Sequence, residues 1–403
     1  MSRLWMVLGV LASLAGHAEA QSSPWQTEER TTAGWVFTPG TSLGGFWDSG
    51  VQTDSNPVVE ALVQKWVGVA NPRAELDFNG RRTHFNVGYS GSFEKYFSEG
   101  LNWEHRGRLS VRRTLAPRLS VSGDATYAAV PTTDRLLITE GVVPYVNANS
   151  QWLHAGGGFS FRGGPRTMIH GDYRFEQVSV DQTLTGPFGV LRDGYSHAPS
   201  LGFTQDFTSR LAIGAQAGYR REVVGVVEGF NELYDIRAIN ATFTYRWSQA
   251  MSISGSGGAS QVESLDIGEQ TTSPTFSGSF TRRMRTVTLG ARYSRAFEQV
   301  FGFGTLAATD TFSGDAFVPL ADRLYYLEIA GALNRTAPIP ELGIGFDMST
   351  FWTNIAVGRQ LAPRLRAEAF VSLAIQGAAN GLDGSNRTRL GIQIVTSKPL
   401  RIQ

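Results

Sequence analysis

Small, polar and charged side chains recur at every second position within stretches whose intervening positions are mainly apolar or aromatic. Between Leu109 and Tyr127, for example, one alternating set includes Val111, and the other includes Arg112 and Asp124. A period of two is the side-chain period of a β-strand, whose successive residues point to opposite faces. Such charges could bind ions or solutes, pair with one another, or act as acids and bases, depending on what the strands enclose.

Histidine is the other residue type here that could carry chemistry. His154 and His170 lie on the two strands of one predicted hairpin, and we expect them about a turn's reach apart, where they could hold a metal or assist a nucleophile. No second-ligand spacing or supporting acid accompanies them, and the sequence has no Gly-rich phosphate loop, zinc motif or nucleophile elbow. We therefore predict no catalytic residue, no metal, no cofactor and no enzymatic activity. The alternative of a barrel-embedded hydrolase would require turnover that is lost when His154 or His170 is replaced.

The overall composition narrows the classes of function. The 403 residues include 36 Lys or Arg and 35 Asp or Glu, and the resulting net charge of +1 gives no electrostatic basis for nucleic-acid binding. The sequence has no cysteine, which excludes disulfides and cysteine-ligated metals. Beyond the N-terminus there is no run of roughly 18 apolar residues, so we predict no transmembrane helix.

The first 20 residues have the three parts of an export signal. Arg3 supplies the positive charge, a short apolar stretch follows, and Ala18 and Ala20 form the small-residue cleavage pattern. We predict cleavage before Gln21, so that residues 1–20 are a signal peptide removed on export.

Strand-length segments alternate with turns in a fixed rhythm. Short turns and longer connections follow one another, and Leu-Ala-Pro-Arg-Leu occurs in two of the short turns, at residues 115–119 and 361–365. We count about 18 strands, within a range of roughly 16 to 20, each long enough to cross a bilayer when tilted. We therefore predict an all-β fold: a transmembrane antiparallel up-and-down β-barrel with short periplasmic turns and longer extracellular loops.

The predicted barrel occupies residues 34–398, after a polar periplasmic lead-in at residues 21–33. Residues 52–71 interrupt the alternation. Four apolar residues within them have helical spacing: Val58, Leu62, Trp66 and Val69. This segment could form an amphipathic helix that narrows or caps a pore, or it could be an irregular surface loop.

The two faces of each strand must meet different surroundings. In a bilayer the apolar face contacts lipid, so the polar face lines the barrel interior, where charges cost little if water is present. By alternation, 16 charged residues are predicted to line the lumen: Glu94, Glu104, Arg106, Arg108, Arg112, Asp124, Asp172, Arg174, Glu176, Arg220, Arg246, Arg292, Glu328, Arg366, Glu368 and Arg389. Nine are arginines and seven are acids, so we expect at most a mild preference for anions. Pairing that only stabilises the wall is an equal alternative for each arginine.

Three features carry a resemblance to a known family: the signal peptide, the segment 44–56 that ends in Asp54-Ser55-Asn56, and the repeated Leu-Ala-Pro-Arg-Leu turns. Over nearly the whole mature chain, the sequence resembles the outer-membrane β-barrel porins found with exopolysaccharide and exosortase (PEP-CTERM) gene clusters. The resemblance implies an outer-membrane barrel with a part in polysaccharide export, and it supplies no catalytic residues. The C-terminus departs from many outer-membrane barrels, because the chain ends in Ile402-Gln403 instead of an aromatic residue.

Together these observations predict a porin-like channel for small solutes, or an export pore for polysaccharide, in the outer membrane of a Gram-negative-type bacterium. A structural or adhesive barrel with a closed lumen is the alternative, and it would show no conductance. The expected partners are outer-membrane lipid, periplasmic chaperones, the barrel-assembly machinery, and the transported solute or polysaccharide.

Overall fold

A computed structural model describes most of the chain that follows the first 32 residues. The described residues are 33–49, 52–53, 65–96, 101–131, 149–180, 185–186, 189–190, 193–224, 232–284, 286–300, 305–320, 324–342, 347–377 and 384–402. The predicted signal peptide, nearly all of the predicted lead-in, and residues 54–64 of the irregular segment lie outside this description.

Eighteen long strands, β1 to β18, form most of the described chain. Their bounds are Gly34–Asp48, Lys65–Asn79, Thr83–Tyr96, Leu101–Ala116, Leu119–Val130, Ser150–Arg162, Thr167–Val180, Gly194–Asp206, Leu211–Val224, Glu232–Ser248, Met251–Ser264, Gln270–Arg283, Thr288–Val300, Thr305–Leu320, Tyr325–Ala337, Met348–Ala362, Leu365–Gln376 and Ser385–Ser397. A single 3-10 turn, Pro340–Leu342, is the helical element among the described residues. Over the same residues, no helix is long and apolar enough to cross a membrane.

The strands close into a barrel. Each of the eighteen pairs antiparallel with its neighbours in the chain, and β1 also pairs with β18, from Gly40 opposite Ser397 to Asp48 opposite Arg389. Beyond the predicted end of the barrel, a short strand, Leu400–Ile402, continues this pairing along β1. Closure leaves no edge strand at the seam. The fold class predicted from the alternation is confirmed.

Connections of two lengths alternate around the barrel. At one end the strands are joined by turns of two to four residues, and both termini of the barrel wall lie at this end. The two Leu-Ala-Pro-Arg-Leu turns are here, and a shift in strand register accompanies each of them. The opposite end, called the long-loop end below, carries connections of 4 to 19 residues, most of them longer than four.

The outer face of the wall is an apolar belt. Exposed aliphatic and aromatic side chains occupy alternate positions, among them Ile239 at 72% and Ile392 at 69% exposure. On β9 the apolar outward positions run from Leu211 to Tyr219, which spans about 20 Å of depth at ~3.3 Å per residue and a tilt of about 40°. That height is close to the ~25 Å apolar band of membrane barrels. The belt therefore faces lipid.

One hairpin leaves the wall at the long-loop end. Strand β13 pairs with β12 only as far as Arg295 opposite Phe276, and β14 pairs with β15 only as far as Ala308 opposite Ala337. Past those points β13 and β14 pair with each other alone, as far as Val300. We call the described residues of this hairpin, 296–300 and 305–307, the inward hairpin. Pro274 of β12 lies two residues beyond the last paired position, Phe276, and proline suits a strand edge because it has no N–H to donate.

The inward hairpin lies inside the barrel. Phe297 and Leu306 are buried against Val224, Tyr234 and Val262. Those three side chains belong to the inner faces of β9, β10 and β11, since they alternate with outward residues along each strand. The hairpin therefore crosses from β12 to the inner surface of strands further around the wall, and it fills part of the lumen.

The connection between β15 and β16 covers the gap that the hairpin leaves. Ile339 and Leu342 are buried in the same apolar cluster, and the 3-10 turn containing Leu342 contacts β12. The upper edge of β12, which has lost its neighbour, is thereby shielded from unwanted pairing.

Neither of the two alternatives for residues 52–71, an amphipathic helix or an irregular surface loop, holds for the part of the segment that the structure describes. From Lys65 the chain is strand β2, and Gln52–Thr53 is a short strand that pairs with β18. Trp66 is exposed and Val67 is buried, which is the alternation of a strand. Trp66 and Val69 lie on opposite faces of this strand, and among the described residues the inward hairpin is the segment that enters the lumen.

Candidate functional site

The barrel interior is the candidate site, because it brings together most of the inward polar side chains. All 16 residues predicted to line the lumen occupy the inner alternation of their strands, as judged from the register of each ladder. Their role in lining a solute path stays a prediction. Several of them do not point freely into the interior, because they form close contacts with one another.

A recurring arginine–glutamate ion pair neutralises charge along the inner wall. An arginine and a glutamate stand two residues apart on the same strand face, so that their side chains meet. The N–O distances are 2.5 Å for Arg106 and Glu104, 2.9 Å for Arg220 and Glu222, and 2.6 Å for Arg366 and Glu368. Glu222 was not among the predicted lining residues, although its spacing from Arg220 is a signal that could have identified it.

A polar cluster joins the inward hairpin to the wall. Trp152 donates a hydrogen bond of 2.7 Å from Nε1 to Glu176, which interacts electrostatically with Arg174, Arg220 and Glu298. Glu298 lies on the inward hairpin, whereas the others lie on β6, β7 and β9. We call these five residues the hairpin cluster. It is where the hairpin brings side chains from distant strands together.

The hairpin's backbone is held at the same place. Arg220 donates a hydrogen bond to the Phe297 carbonyl, and the Gln299 side chain donates one of 3.4 Å to the Val223 carbonyl. These bonds connect β9 with β13, which are four strands apart in the wall. They and the apolar cluster fix the hairpin in the lumen.

A second polar cluster lies nearer the short-turn end. The Tyr326 hydroxyl donates to Glu368, and Gln393 donates a hydrogen bond of 2.7 Å to the same carboxylate. On the far side of the seam, Arg108 lies 2.7 Å from Glu75, which also accepts from Asn86 at 2.9 Å. Arginine and carboxylate are again paired within the wall.

Gly358 gives Tyr326 the space that this cluster requires. A Cβ at Gly358 would lie 2.1 Å from the Tyr326 ring, which is far below contact distance. We expect Gly358→Ala to displace the ring, break its bond to Glu368 and lower the free energy of unfolding by about 1–3 kcal/mol. Urea unfolding in lipid vesicles measures this. Gly278→Ala is the matched control, because a Cβ there meets nothing within 4 Å, and equal losses in the two variants would contradict the steric argument.

One sector of the inner face carries hydroxyls instead of charges. On β11 and β12, Ser254 pairs with Ser279 and Ser256 with Ser277, each at 2.7 Å. Thr275 adds a 2.7 Å bond to an asparagine of β10. The interior therefore has a charged side and a neutral, hydrogen-bonding side.

A buried ion-pair group, the closure latch, joins the first strand to the last. Asp48 of β1 is fully buried and accepts two bonds from Arg387 of β18, at 3.0 and 2.7 Å. Arg389 and the Tyr96 hydroxyl donate to the same carboxylate at 3.3 and 3.1 Å. Arg389 was predicted to line the lumen, but its guanidinium is engaged in this group. Asp48 and Arg387 were not identified from the sequence.

The two histidines considered for chemistry lie far apart, which corrects the expectation that they are neighbours. His170 is opposite Ser160, six residues along β6 from His154, or about 20 Å at ~3.3 Å per residue. His154 bonds Asp124 at 3.1 Å. Among the described residues, no group of three or more His, Cys, Asp or Glu could hold a metal ion.

The surroundings of this interior follow from the wall. A closed antiparallel barrel pairs its backbone groups internally, and this one presents an apolar belt outward and ion pairs inward. Such barrels belong to outer membranes. The chain is an outer-membrane β-barrel whose belt is in contact with lipid.

Comparison with known proteins finds solved structures of similar fold, but no match among family models or curated proteins. The barrel is similar to the crystal structure of OccK1 (OpdK) of Pseudomonas aeruginosa, with 10% identity, a TM-score of 0.45, and coverage of 90% of this chain and 99% of that chain. The crystal structure of OccK3 (OpdO) of the same organism has 12% identity and a TM-score of 0.42, with coverage of 90% of this chain and 96% of that chain. The crystal structure of OccAB4 of Acinetobacter baumannii has 8% identity and a TM-score of 0.43, with coverage of 92% of this chain and 100% of that chain.

Proposed function

We propose that this outer-membrane β-barrel is a porin-like channel for small solutes, and that the inward hairpin narrows its path. The observation that carries the proposal is the set of arginine–glutamate pairs on an inner face enclosed by an apolar belt. Charged side chains cost about 2–4 kcal/mol each at the bilayer midplane when they face lipid, so they favour a lumen that holds water. Barrels of about 16 to 18 strands are wide enough for an aqueous channel.

The paired charges bear on ion selectivity. The predicted lining residues alone favour a mild preference for anions, but each Arg–Glu pair cancels its own field at short range. Further residues of both signs lie on the inner alternation, among them the acids Asp48, Glu75 and Glu222 and the arginines Arg73 and Arg387, so the interior is close to charge balance. We therefore propose weak selectivity, set mainly where the hairpin cluster borders the path.

Planar-bilayer recording across a salt gradient tests this proposal. The unaltered barrel is expected to conduct with a reversal potential near zero. The double substitution Glu176→Gln and Glu298→Gln removes two negative charges from the hairpin cluster and leaves Arg174 and Arg220 in place. We expect the anion-to-cation permeability ratio to rise several-fold, because fixed charge at a constriction acts on ions at close range.

The matched control removes two acids from the outer face. Glu263→Gln and Asp347→Asn break exposed ion pairs with Arg237 and Arg335, and the permeability ratio should not change. Absence of current at any voltage would instead support the structural or adhesive barrel, and a clear cation preference of the unaltered barrel would contradict the selectivity proposal.

A finer proposal concerns the solute. The family resemblance implies polysaccharide export, and the hydroxyl-lined sector of β11 and β12 offers donors and acceptors that suit polyhydroxylated molecules. The same planar-bilayer recording distinguishes a path that admits polysaccharide from one that admits only small solutes. A long neutral oligosaccharide that enters the path interrupts the current, whereas a channel limited to small ions does not respond to it.

A further inference from the structure

Outward-facing charges gather in one sector of the long-loop end. They lie on β9, β10, β11, β13, β14 and β15 and just before β16, on the face opposite to the lumen. We call this set the outer charged sector: Arg221, Asp235, Arg237, Glu263, Arg295, Asp310, Arg335 and Asp347. It holds four arginines and four acids, and each arginine is within 4 Å of one of the acids.

Two parts of the sector have the same construction. On β9 and β10, the Tyr219 hydroxyl donates to Asp235 at 2.7 Å while Arg221 donates to both carboxylate oxygens, at 2.9 and 3.1 Å. Four strands further around, the hydroxyl of Tyr293 donates to Asp310 at 2.8 Å and Arg295 donates at 3.2 Å. In both cases the aspartate fixes a guanidinium on the outer surface. The two aspartates are about 20 Å apart around the wall, at ~4.8 Å per strand.

The depth of the sector is set by the apolar belt beneath it. Ile239 and Phe243 follow Arg237 on the outward face of β10, and Phe312 follows Asp310 on β14. Arg237 and Asp310 are therefore the next outward positions beyond lipid-facing side chains. At that depth a bilayer presents headgroups instead of acyl chains.

The arginines keep hydrogen-bonding capacity for a ligand. Side-chain exposure is 47% for Arg221, 55% for Arg237 and 69% for Arg335. A guanidinium has five N–H donors, and a carboxylate occupies two of them at most in a fork-like pair. The remaining donors can bind a phosphate, while tyrosine hydroxyls and carboxylates can bind sugar hydroxyls.

The outward face of the strands that precede the sector, β3, β4, β7 and β8, is built differently. There Tyr89 shares a 2.8 Å hydrogen bond with His105, and Tyr173 one of 2.6 Å with His197, among further aromatic rings. That aromatic arrangement is typical of an interfacial belt. The contrast favours a specific role for the charged sector over a general boundary with the headgroups.

We propose that the outer charged sector binds the phosphorylated sugar headgroup of an outer-leaflet glycolipid, with the acyl chains lying on Ile239, Phe243 and Phe312. A headgroup that carries several phosphates and hydroxyls matches arginines spread over adjacent strands, which a single phosphate would not engage together. The apolar strip directly below the arginines favours a lipid over a soluble anion.

Binding to the purified full-length barrel in detergent tests the proposal, with bound lipid counted by native mass spectrometry. The probes are a diphosphorylated diglucosamine lipid, its dephosphorylated form, phosphatidylglycerol and inorganic phosphate. The test variant combines Arg221→Ala with Arg295→Ala. The control combines Arg113→Ala with Arg359→Ala, which removes two outward arginines next to the short turns.

We expect the diphosphorylated lipid to bind the unaltered barrel and the control alike, and the test variant about tenfold more weakly. The dephosphorylated lipid, phosphatidylglycerol and inorganic phosphate should bind more weakly to all three proteins. Equal binding to the test variant, equal losses in test and control, or equal affinity for phosphatidylglycerol would overturn the proposal. Equal urea midpoints for the two variants establish that both are folded.

Discussion

Replacing residues 297–308 with an Asn-Gly turn should raise the single-channel conductance several-fold. Ala296 and Thr309 are directly opposite each other in the β13–β14 ladder, so a two-residue turn can join them without changing the wall below. The change removes Phe297 and Leu306 from the lumen together with Glu298 and Gln299 of the hairpin's polar contacts. What remains is the inner surface of the wall, and ions then cross a wider section.

The control shortens a connection that stays outside the barrel. Residues 265–269 join β11 to β12, and Leu265 and Ile267 are exposed. An Asn-Gly turn in place of residues 265–268, which joins the opposed Ser264 and Glu269, should leave the conductance unchanged. Equal conductance of the hairpin variant and the unaltered barrel would mean that the hairpin does not limit the path, and the proposed constriction would have to be abandoned.

Asp48→Ala should lower the free energy of unfolding by about 3–5 kcal/mol, because it leaves buried arginines without their carboxylate. Asp48 is fully buried, and the side chain of Arg387, its main partner, is 6% exposed. Truncation removes four hydrogen bonds at the seam where β1 meets β18. Urea unfolding in lipid vesicles, followed through tryptophan fluorescence, measures the loss.

An exposed ion pair provides the comparison for the latch. Glu263→Ala breaks the contact with Arg237, whose side chain is 55% exposed, and it should cost under about 1 kcal/mol. Asp48→Asn keeps the shape and loses the charge, so its effect should lie between the two. If Asp48→Ala lowers the free energy of unfolding by no more than Glu263→Ala does, the latch does not stabilise the closed barrel.

Alternation along the chain was enough to predict the wall. Its period of two determines which residues share a face. The apolar face is then assigned to the lipid and the polar face to the lumen. The turn positions and the number of strands follow from the same pattern. This is why Arg106 and Arg366 could be assigned to the inner face before any contact was known.

The inward hairpin could not be predicted in this way, because its residues alternate like those of the wall. Phe297 and Leu306 occupy positions that would face lipid if β13 and β14 continued upward, and only their contacts with Tyr234 place them inside. Pro274 on the neighbouring strand was the available signal, since it disfavours a full ladder there.

The closure latch has a consequence for the order of folding. Asp48 and Arg387 are 339 residues apart in the chain, so their contact can form only once the last strand has reached the first. Interactions that form after the transition state slow unfolding and leave the folding rate almost unchanged. The latch therefore governs how long a finished barrel stays closed, and it has little influence on how quickly the barrel is assembled.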